Sequence, residues 1–313
     1  MSLPRLSASK IKSYSSCSYL AYLKYNCGLP SKGNTGSKLG GITHIILECL
    51  AHPKRKEKVS QALACERPLS LPCLHRLASK WLKKEEVDSS ENYEKINGFL
   101  VTGLENDFHG KGCEKYETEY EFNINNGKYW IYGFIDRLFI YEDHIRILDF
   151  KSSKSKFSKG SEDMDFNIQA LIYALVASKL YPGKKITVEF LFLKFRKNPY
   201  IKMEFSLNQI EAFEHYLEYI SGYLQDFGLE KALANTAAGD FKRKWLCGKE
   251  PFTYKEDGSP VWVCEYKAPF LYFEAVKEGS PSKSAYLKKE LDSYIPLGYT
   301  IVQRKHSGCP KFN

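Results

Sequence analysis

The chain has 313 residues, 43% of them hydrophobic and 27% charged, which is a globular composition with enough apolar material for a substantial core. Its 46 lysines and arginines exceed its 37 aspartates and glutamates, and the resulting +9 is compatible with a polyanionic partner without requiring one. No stretch approaches the roughly 20 apolar residues of a membrane span, and the first ten residues lack a secretory core, so an intracellular protein with no membrane partner is expected.

Residues 7–25 predict a helix opened by Ser7 or Ser9, with Ile11, Tyr14, Tyr19, Tyr22 and Leu23 at its apolar positions. A Gly-, Pro- and Ser-rich loop over 26–36 follows, then a helix over 41–51 and a basic segment containing Lys54, Arg55, Lys56 and Lys58. Helical patterns continue over 55–64, 72–85 and 90–109. The period then changes to 2 over 116–124, 129–141 and 144–151, which predicts strands. A helix is expected over 165–181, strands over 185–195 and 199–205, and a helix over 207–226. Beyond 235 the chain is rich in aromatics, Lys, Gly and Pro, with short strands expected at 260–265 and 270–276. The fold class implied is α/β, a mixed β-sheet flanked by helices, with a helical N-terminal part (1–115), a core (116–230) and a C-terminal extension (231–313).

The chemistry concentrates in one hairpin, Gly133-Phe-Ile-Asp136-Arg followed, after Glu142-Asp143, by Leu148-Asp149-Phe-Lys151. With Glu142 and Asp143 as the turn, Tyr141 faces His144, and counting outward puts Asp136 opposite Asp149. Lys151 shares their face, because strand side chains repeat every two residues. Two like charges in that position cost a few tenths to about 1 kcal/mol when exposed, and more when buried. A divalent cation would remove the conflict, and two carboxylates with a backbone carbonyl suit Mg²⁺. The other reading of the spacing is a surface hairpin whose acids face water.

Those residues resemble two motifs of RecB-like PD-(D/E)XK nucleases. Two further motifs occur in that family's order: Gly40-Gly-Ile-Thr-His44-Ile-Ile-Leu-Glu48, similar to its G-x-x-x-H-x-x-L-E helix, and Gln169-Ala-Leu-Ile-Tyr173, similar to its Q-x-x-x-Y helix. The resemblance covers 7–205 and implies a restriction-endonuclease-like core and a Mg²⁺- or Mn²⁺-dependent deoxyribonuclease, more often an exonuclease. It implies His44, Asp136, Asp149 and the Phe150 carbonyl as metal ligands, Lys151 as the catalytic lysine, and Gln169 and Tyr173 as residues steadying the site. Glu119 matches a supporting position, with Glu121 on the same strand face as its rival. Recombination, repair or phage DNA processing, single-stranded DNA or DNA ends, a helicase or recombination partner, and a cytoplasmic setting, including a phage-infected host, belong to the same expectation. The alternative is a catalytically silent, nuclease-like DNA-binding or assembly subunit, which would normally show a broken Asp…Asp-x-Lys set.

Some members of that group, including AddB, hold a [4Fe–4S] cluster on one N-terminal and three C-terminal cysteines. Cys17, Cys247, Cys264 and Cys309 fit that outline, either for a cluster or for a zinc site. Their spacing departs from the family's, with 16 residues between Cys247 and Cys264 and 44 between Cys264 and Cys309, and Ser18 replaces the expected proline. Free thiols are also commonly buried as small hydrophobes, the reading given to Cys27, Cys49, Cys65, Cys73 and Cys113. Lys154, Lys156 and Lys159 follow the catalytic lysine, and Lys242-Arg243-Lys244-Trp245 mixes cations with an aromatic. The first is a charge run, usually a solvated face, that adjoins the expected scissile phosphate, and the second suits backbone and stacking contacts to single-stranded DNA.

Overall fold

The computed structural model describes residues 3–31, 33–106, 108–157, 166–248, 263–277, 279, 283–286 and 298–312. In chain order the elements are β1 (Arg5–Leu6), α1 (Ala8–Ser16), α2 (Ser18–Ala21), α3 (Thr35–Ala51), α4 (Lys56–Leu63), α5 (Pro72–Lys84), α6 (Ser90–Glu105), β2 (Lys115–Asn125), β3 (Trp130–Ile140) and β4 (His144–Lys151). There follow α7 (Ile168–Leu180), β5 (Lys185–Phe192), β6 (Tyr200–Glu204), α8 (Leu207–Gln225), α9 (Leu229–Ala234), β7 (Phe270–Val276), β8 (Lys283–Tyr286) and β9 (Thr300–His306). The chain packs as two units: residues 1–8 with 33–221, and residues 9–32 with 222–313. Residues 33–115 thus pack in the same unit as the sheet. Among the described residues no helix is long and apolar enough to cross a membrane.

The first unit is α/β, and its mixed sheet has the order β1-β3-β4-β5-β6, with β2 also on β3. Strands β2, β3 and β4 form an antiparallel meander, β4 and β5 are parallel, and β6 returns antiparallel. Helix α7 is buried from Ala170 to Val176, apolar all round as a core helix should be. Its start is fixed by Asn167, whose side chain accepts from the Ala170 N–H at 3.0 Å.

Helices α3 to α6 share one core, in which Leu39, Ile42, Ile46 and Leu47 of α3 join Phe139, Leu148 and Phe150 of the sheet. Helix α3 begins at Thr35, six residues before the expected start. The reason is a capping box: Asn34 Oδ1 accepts from the Ser37 N–H (2.9 Å) while Ser37 Oγ accepts from the Asn34 N–H (3.2 Å). Those two bonds draw the end of the polar loop into the helix.

The second unit packs Tyr14, Tyr19, Leu23, Phe227 and Tyr266 into its own core and carries a three-stranded antiparallel sheet, β8-β7-β9. The single helix expected over 7–25 is split. Cys17 is extended (φ −157°, ψ 104°), and the buried Ser18 hydroxyl donates to the carbonyls of Ala232 (2.7 Å) and Asn235 (2.6 Å) at the end of α9. Satisfying those helix-end carbonyls outweighs continuing α1. The strand expected at 270–276 is β7. That expected at 260–265 is not found over 263–265, and residues 260–262 lie outside the described residues, as does Lys159.

Candidate active site

The site lies where β3 and β4 part. Their ladder runs from Ile140↔Ile145 to Arg137↔Leu148, the register the two-residue turn requires, and pairs no residues further out. β2 pairs with the other edge of β3 along its length except at Asp136, and β1 takes up the β4 side only at Trp130 and Ile131. Residues 132–136 therefore have no strand partner on that side, and side chains fill the gap.

Asp136 Oδ2 accepts from the Phe150 N–H at 2.6 Å, a bond that replaces the missing rung. Tyr173 donates its hydroxyl to the Phe134 carbonyl (2.9 Å) and lies 3.0 Å from Asp149 Oδ1. Gln169 Nε2 donates to the same Asp149 oxygen at 2.7 Å, and its Oε1 accepts from Lys151 Nζ at 2.7 Å. Lys151 Nζ also pairs with Asp149 Oδ2 at 2.6 Å. One turn of α7 thus brings Gln169 and Tyr173 onto the carboxylate and the lysine together.

Helix α3 supplies His44. Its Nδ1 is 3.4 Å from Asp136 Oδ1 and its Nε2 3.2 Å from the Phe150 carbonyl oxygen. Gly40, one turn earlier, lets α3 come this close, since a Cβ there would run into Ser152. Arg137, fully buried, donates from Nη2 to the Leu47 carbonyl at 3.0 Å and stacks 4.4 Å from the Phe108 ring, tying β3 to the helix that carries His44.

Glu119 completes the group. It stands opposite Asp136 in the β2–β3 register, whereas Glu121 pairs with Phe134. Its φ of +47° lies in the left-handed region, which costs a non-glycine residue roughly 1–2 kcal/mol. Ligand atoms of His44, Glu119 and Asp136 lie within 4.8 Å of one another. The structure brings Glu119, and not Glu121, into this group, a choice the strand face alone left open. The β2–β3 register was the signal that could have made it.

Burial alone would lower His44, but Asp136, with Asp149 and Glu119 behind it, overcomes burial and holds the imidazole at about 9. Burial, reinforced by Asp136, pushes Glu119 up to about 7. Asp136 stays low despite burial because His44 and the Phe150 N–H face it, while burial raises Asp149 against the pull of Lys151. The His44 ring nitrogens face Asp136 and the Phe150 carbonyl, so the protonated imidazole donates to both. Two carboxylates, an imidazole and a carbonyl are a fitting donor set for Mg²⁺ or Mn²⁺. Asp149, by contrast, has its oxygens facing Lys151, Gln169 and Tyr173.

The second unit holds a different cluster. Cys17, Cys247, Cys264 and Cys309 line one pocket with Tyr19, Leu20, Ala238, Tyr266, Lys267 and Phe312, whose interior volume is about 20 Å³, room for about one water. Burial, reinforced by the other three thiols and partly offset by the Tyr266 N–H, pushes Cys264 up to about 12. Among the described residues no three of these sulfurs come within 4.8 Å of one another. Tetrahedral zinc, with Zn–S near 2.3 Å, needs sulfurs about 3.8 Å apart. Four thiols are a donor set for a soft metal or an iron–sulfur cluster.

The basic segments divide. Lys154 is exposed, but Lys156 donates to the Asn198 carbonyl and covers the Phe195 ring at 4.9 Å. Lys242, Lys244 and Trp245 (70% exposed) are open to solvent, and so is Phe241, at 98%. Arg243 is committed elsewhere: its guanidinium bonds Asp240, the Ser15 and Ser16 carbonyls and Asn235. It pins the C-terminal end of α1 rather than presenting a charge to a ligand.

A family model described as the PD-(D/E)XK nuclease superfamily matches residues 5–249. Among solved structures, a protein of Eubacterium rectale named "Putative exonuclease" aligns over 80% of this chain and 91% of its own, at 10% identity and a TM-score of 0.48. Protein VC1899 of Vibrio cholerae aligns over 65% of this chain and 58% of its own, at 11% identity and a TM-score of 0.23. Protein SSO0001 aligns over 56% and 86%, at 20% identity and a TM-score of 0.26. No curated protein matches the chain.

Proposed function

The chain belongs to the PD-(D/E)XK nuclease superfamily, and on that premise we propose that it is a Mg²⁺- or Mn²⁺-dependent deoxyribonuclease of the RecB-like kind, hydrolysing phosphodiester bonds at DNA ends in recombination, repair or phage DNA processing. The observation that carries the reading is the closed network of Asp149, Lys151, Gln169 and Tyr173 beside the His44–Glu119–Asp136 group. A silent DNA-binding subunit has no use for an intact set of this kind.

His44, Asp136, Asp149 and the Phe150 carbonyl would hold the ion, with Glu119 joining them. When bound, it supplies Lewis-acid stabilisation of charge on the phosphate oxygens. Lys151 is the chain's own contribution: an ammonium fixed by Asp149 and Gln169, preorganised beside the phosphate and needing no rearrangement as charge develops. Tyr173 and Gln169 hold Asp149 in place, and the Phe150 N–H orients Asp136. His44 must give up its proton before it can ligate. Exposed Lys154, Lys242, Lys244 and Trp245 would contact the DNA backbone and bases.

The four convergent cysteines support a second element of the proposal, a [4Fe–4S] cluster held in the second unit, whose contribution is to clip residues near the two ends of the chain together.

The test is digestion of end-labelled single- and double-stranded DNA with Mg²⁺ or Mn²⁺, comparing wild type with Asp149→Ala and Lys151→Ala. Cleavage by wild type alone is expected, and equal cleavage by all three sinks the assignment. Cleavage of closed circles would replace end-dependent attack with endonuclease action. Iron and sulfide analysis of protein purified without oxygen tests the cluster.

A further inference from the structure

Phe134 stands two residues before Asp136, in the stretch of β3 that pairs with β2 along one edge and has no strand along the other, and 52% of its surface is exposed. Period 2 puts Phe134 and Tyr132 on the face of β3 that carries Asp136. Leaving such a ring in water forgoes the burial that its neighbours Ile135 and Leu138 achieve. Its position is also rigid. One hydroxyl, that of Tyr173, bridges the Phe134 carbonyl (2.9 Å) and Asp149 Oδ1 (3.0 Å), so the ring is held in register with the catalytic carboxylate. The preceding Gly133 lies under Phe122, where an added Cβ would come within 2.7 Å of that ring.

The surroundings sort a nucleotide into its parts. Lys151 pairs with the other oxygen of that same Asp149 at 2.6 Å, so the backbone of Phe134 is linked to the lysine through Tyr173 and the carboxylate. A phosphate addressed by Lys151 therefore lies close to the segment that carries the exposed ring. Glu121, exposed and directly paired with Phe134, repels phosphate from that side and leaves it to a neutral base. One strand repeat further on, about 6.8 Å away, Tyr132 carries the Arg5 guanidinium 4.9 Å from its ring, a cationic stacking surface for the next nucleotide.

We propose that Phe134 stacks on the base of the nucleotide whose phosphate lies at Lys151, and that this contact makes the site select an unpaired strand. The inference rests on the nuclease reading above and deepens it by naming the substrate class. A base within a duplex is already stacked and must be unpaired and unstacked at a cost of a few kcal/mol before it can reach the ring, whereas a single strand offers its base face directly.

The experiment uses a single-stranded oligonucleotide carrying 2-aminopurine, titrated in EDTA with wild type, Phe134→Ala and Phe134→Tyr. It is paired with initial rates on single-stranded and blunt duplex DNA in Mn²⁺. Expected are quenching by wild type, loss of quenching in Phe134→Ala with KM for single-stranded DNA raised about tenfold and kcat little changed, and recovery of both in Phe134→Tyr. Phe134→Ala matching wild type in quenching and in substrate ratio overturns the inference and leaves the nuclease reading standing. Wild type preferring the duplex also overturns it. A wild type that quenches the probe through Phe134 but cuts neither substrate sustains the stacking contact and overturns the nuclease reading instead.

Discussion

The carboxylate site and the thiol pocket gather their groups in opposite ways. In the first unit the two aspartates are answered by polar groups: Asp136 meets His44 and the Phe150 N–H, and Asp149 meets Lys151, Gln169 and Tyr173. In the second, four sulfurs face one pocket amid mostly apolar side chains with Lys267 among them, and each of its thiols with a resolved shift is raised, burial being the largest cause. The first holds together with the His44 imidazole protonated. The second gathers four soft donors in one pocket. Preorganised charge serves a site that must admit and release substrate, whereas buried thiols suit a resident structural group.

The sharpest break of that contrast is mutation of one site read out at the other. Asp149→Ala or Lys151→Ala is expected to reduce cleavage by about 10³-fold or more while leaving iron content and the visible spectrum unchanged. Loss of iron in either variant would mean the two are not separate.

Cys264→Ser is expected to abolish the visible charge-transfer absorption and to lower the unfolding midpoint of its unit by about 10 °C, followed by calorimetry. An unchanged spectrum removes the cluster from the proposal.

A third prediction concerns pH and belongs to the carboxylate site alone. Without metal, His44 is protonated below about 9, and the ion needs the neutral ring. Raising pH from 7 toward 9 therefore strengthens Mn²⁺ binding about tenfold per unit, and the slope flattens above 9. Titration of Mn²⁺ by electron paramagnetic resonance reads it directly, and His44→Gln should remove most of the slope.

The smallest effect is expected at the exposed aromatic of the second unit. Trp245→Ala should weaken single-stranded DNA binding about fivefold, close to 1 kcal/mol, with no change in metal content. Fluorescence anisotropy at two salt concentrations would separate this stacking loss from the charge loss of Lys242→Ala, which should flatten the salt dependence.

Much of the first site was legible because its chemistry is local. The turn at Glu142-Asp143 sets the β3–β4 register, and helical spacing puts Gln169 and Tyr173 on one face of α7. What the register could not show is that the ladder stops before the aspartates, so that they meet as partners of Phe150, His44 and Lys151 rather than as an opposed pair. Glu119 was half legible, since the choice between it and Glu121 needed the β2–β3 register. Arg137 gave no signal, because an arginine after an aspartate looks like a surface cation until Phe108 and Leu47 enclose it. The break at Cys17 was equally hidden, being decided by bonds from Ser18 to residues more than two hundred positions away.

The sequence by itself determined the elements, the α/β class, and the residues carried by single strands and helices, because periodicity and turn chemistry act over a few residues. Tertiary structure alone decided which of those residues meet. His44 reaches Asp136 only because Gly40 lets α3 close on the strand end, and Cys17 meets Cys309 only because residues near the two ends of the chain share one core. Such encounters depend on packing between distant segments, whose loop-closure entropy is met by burial that no local pattern records.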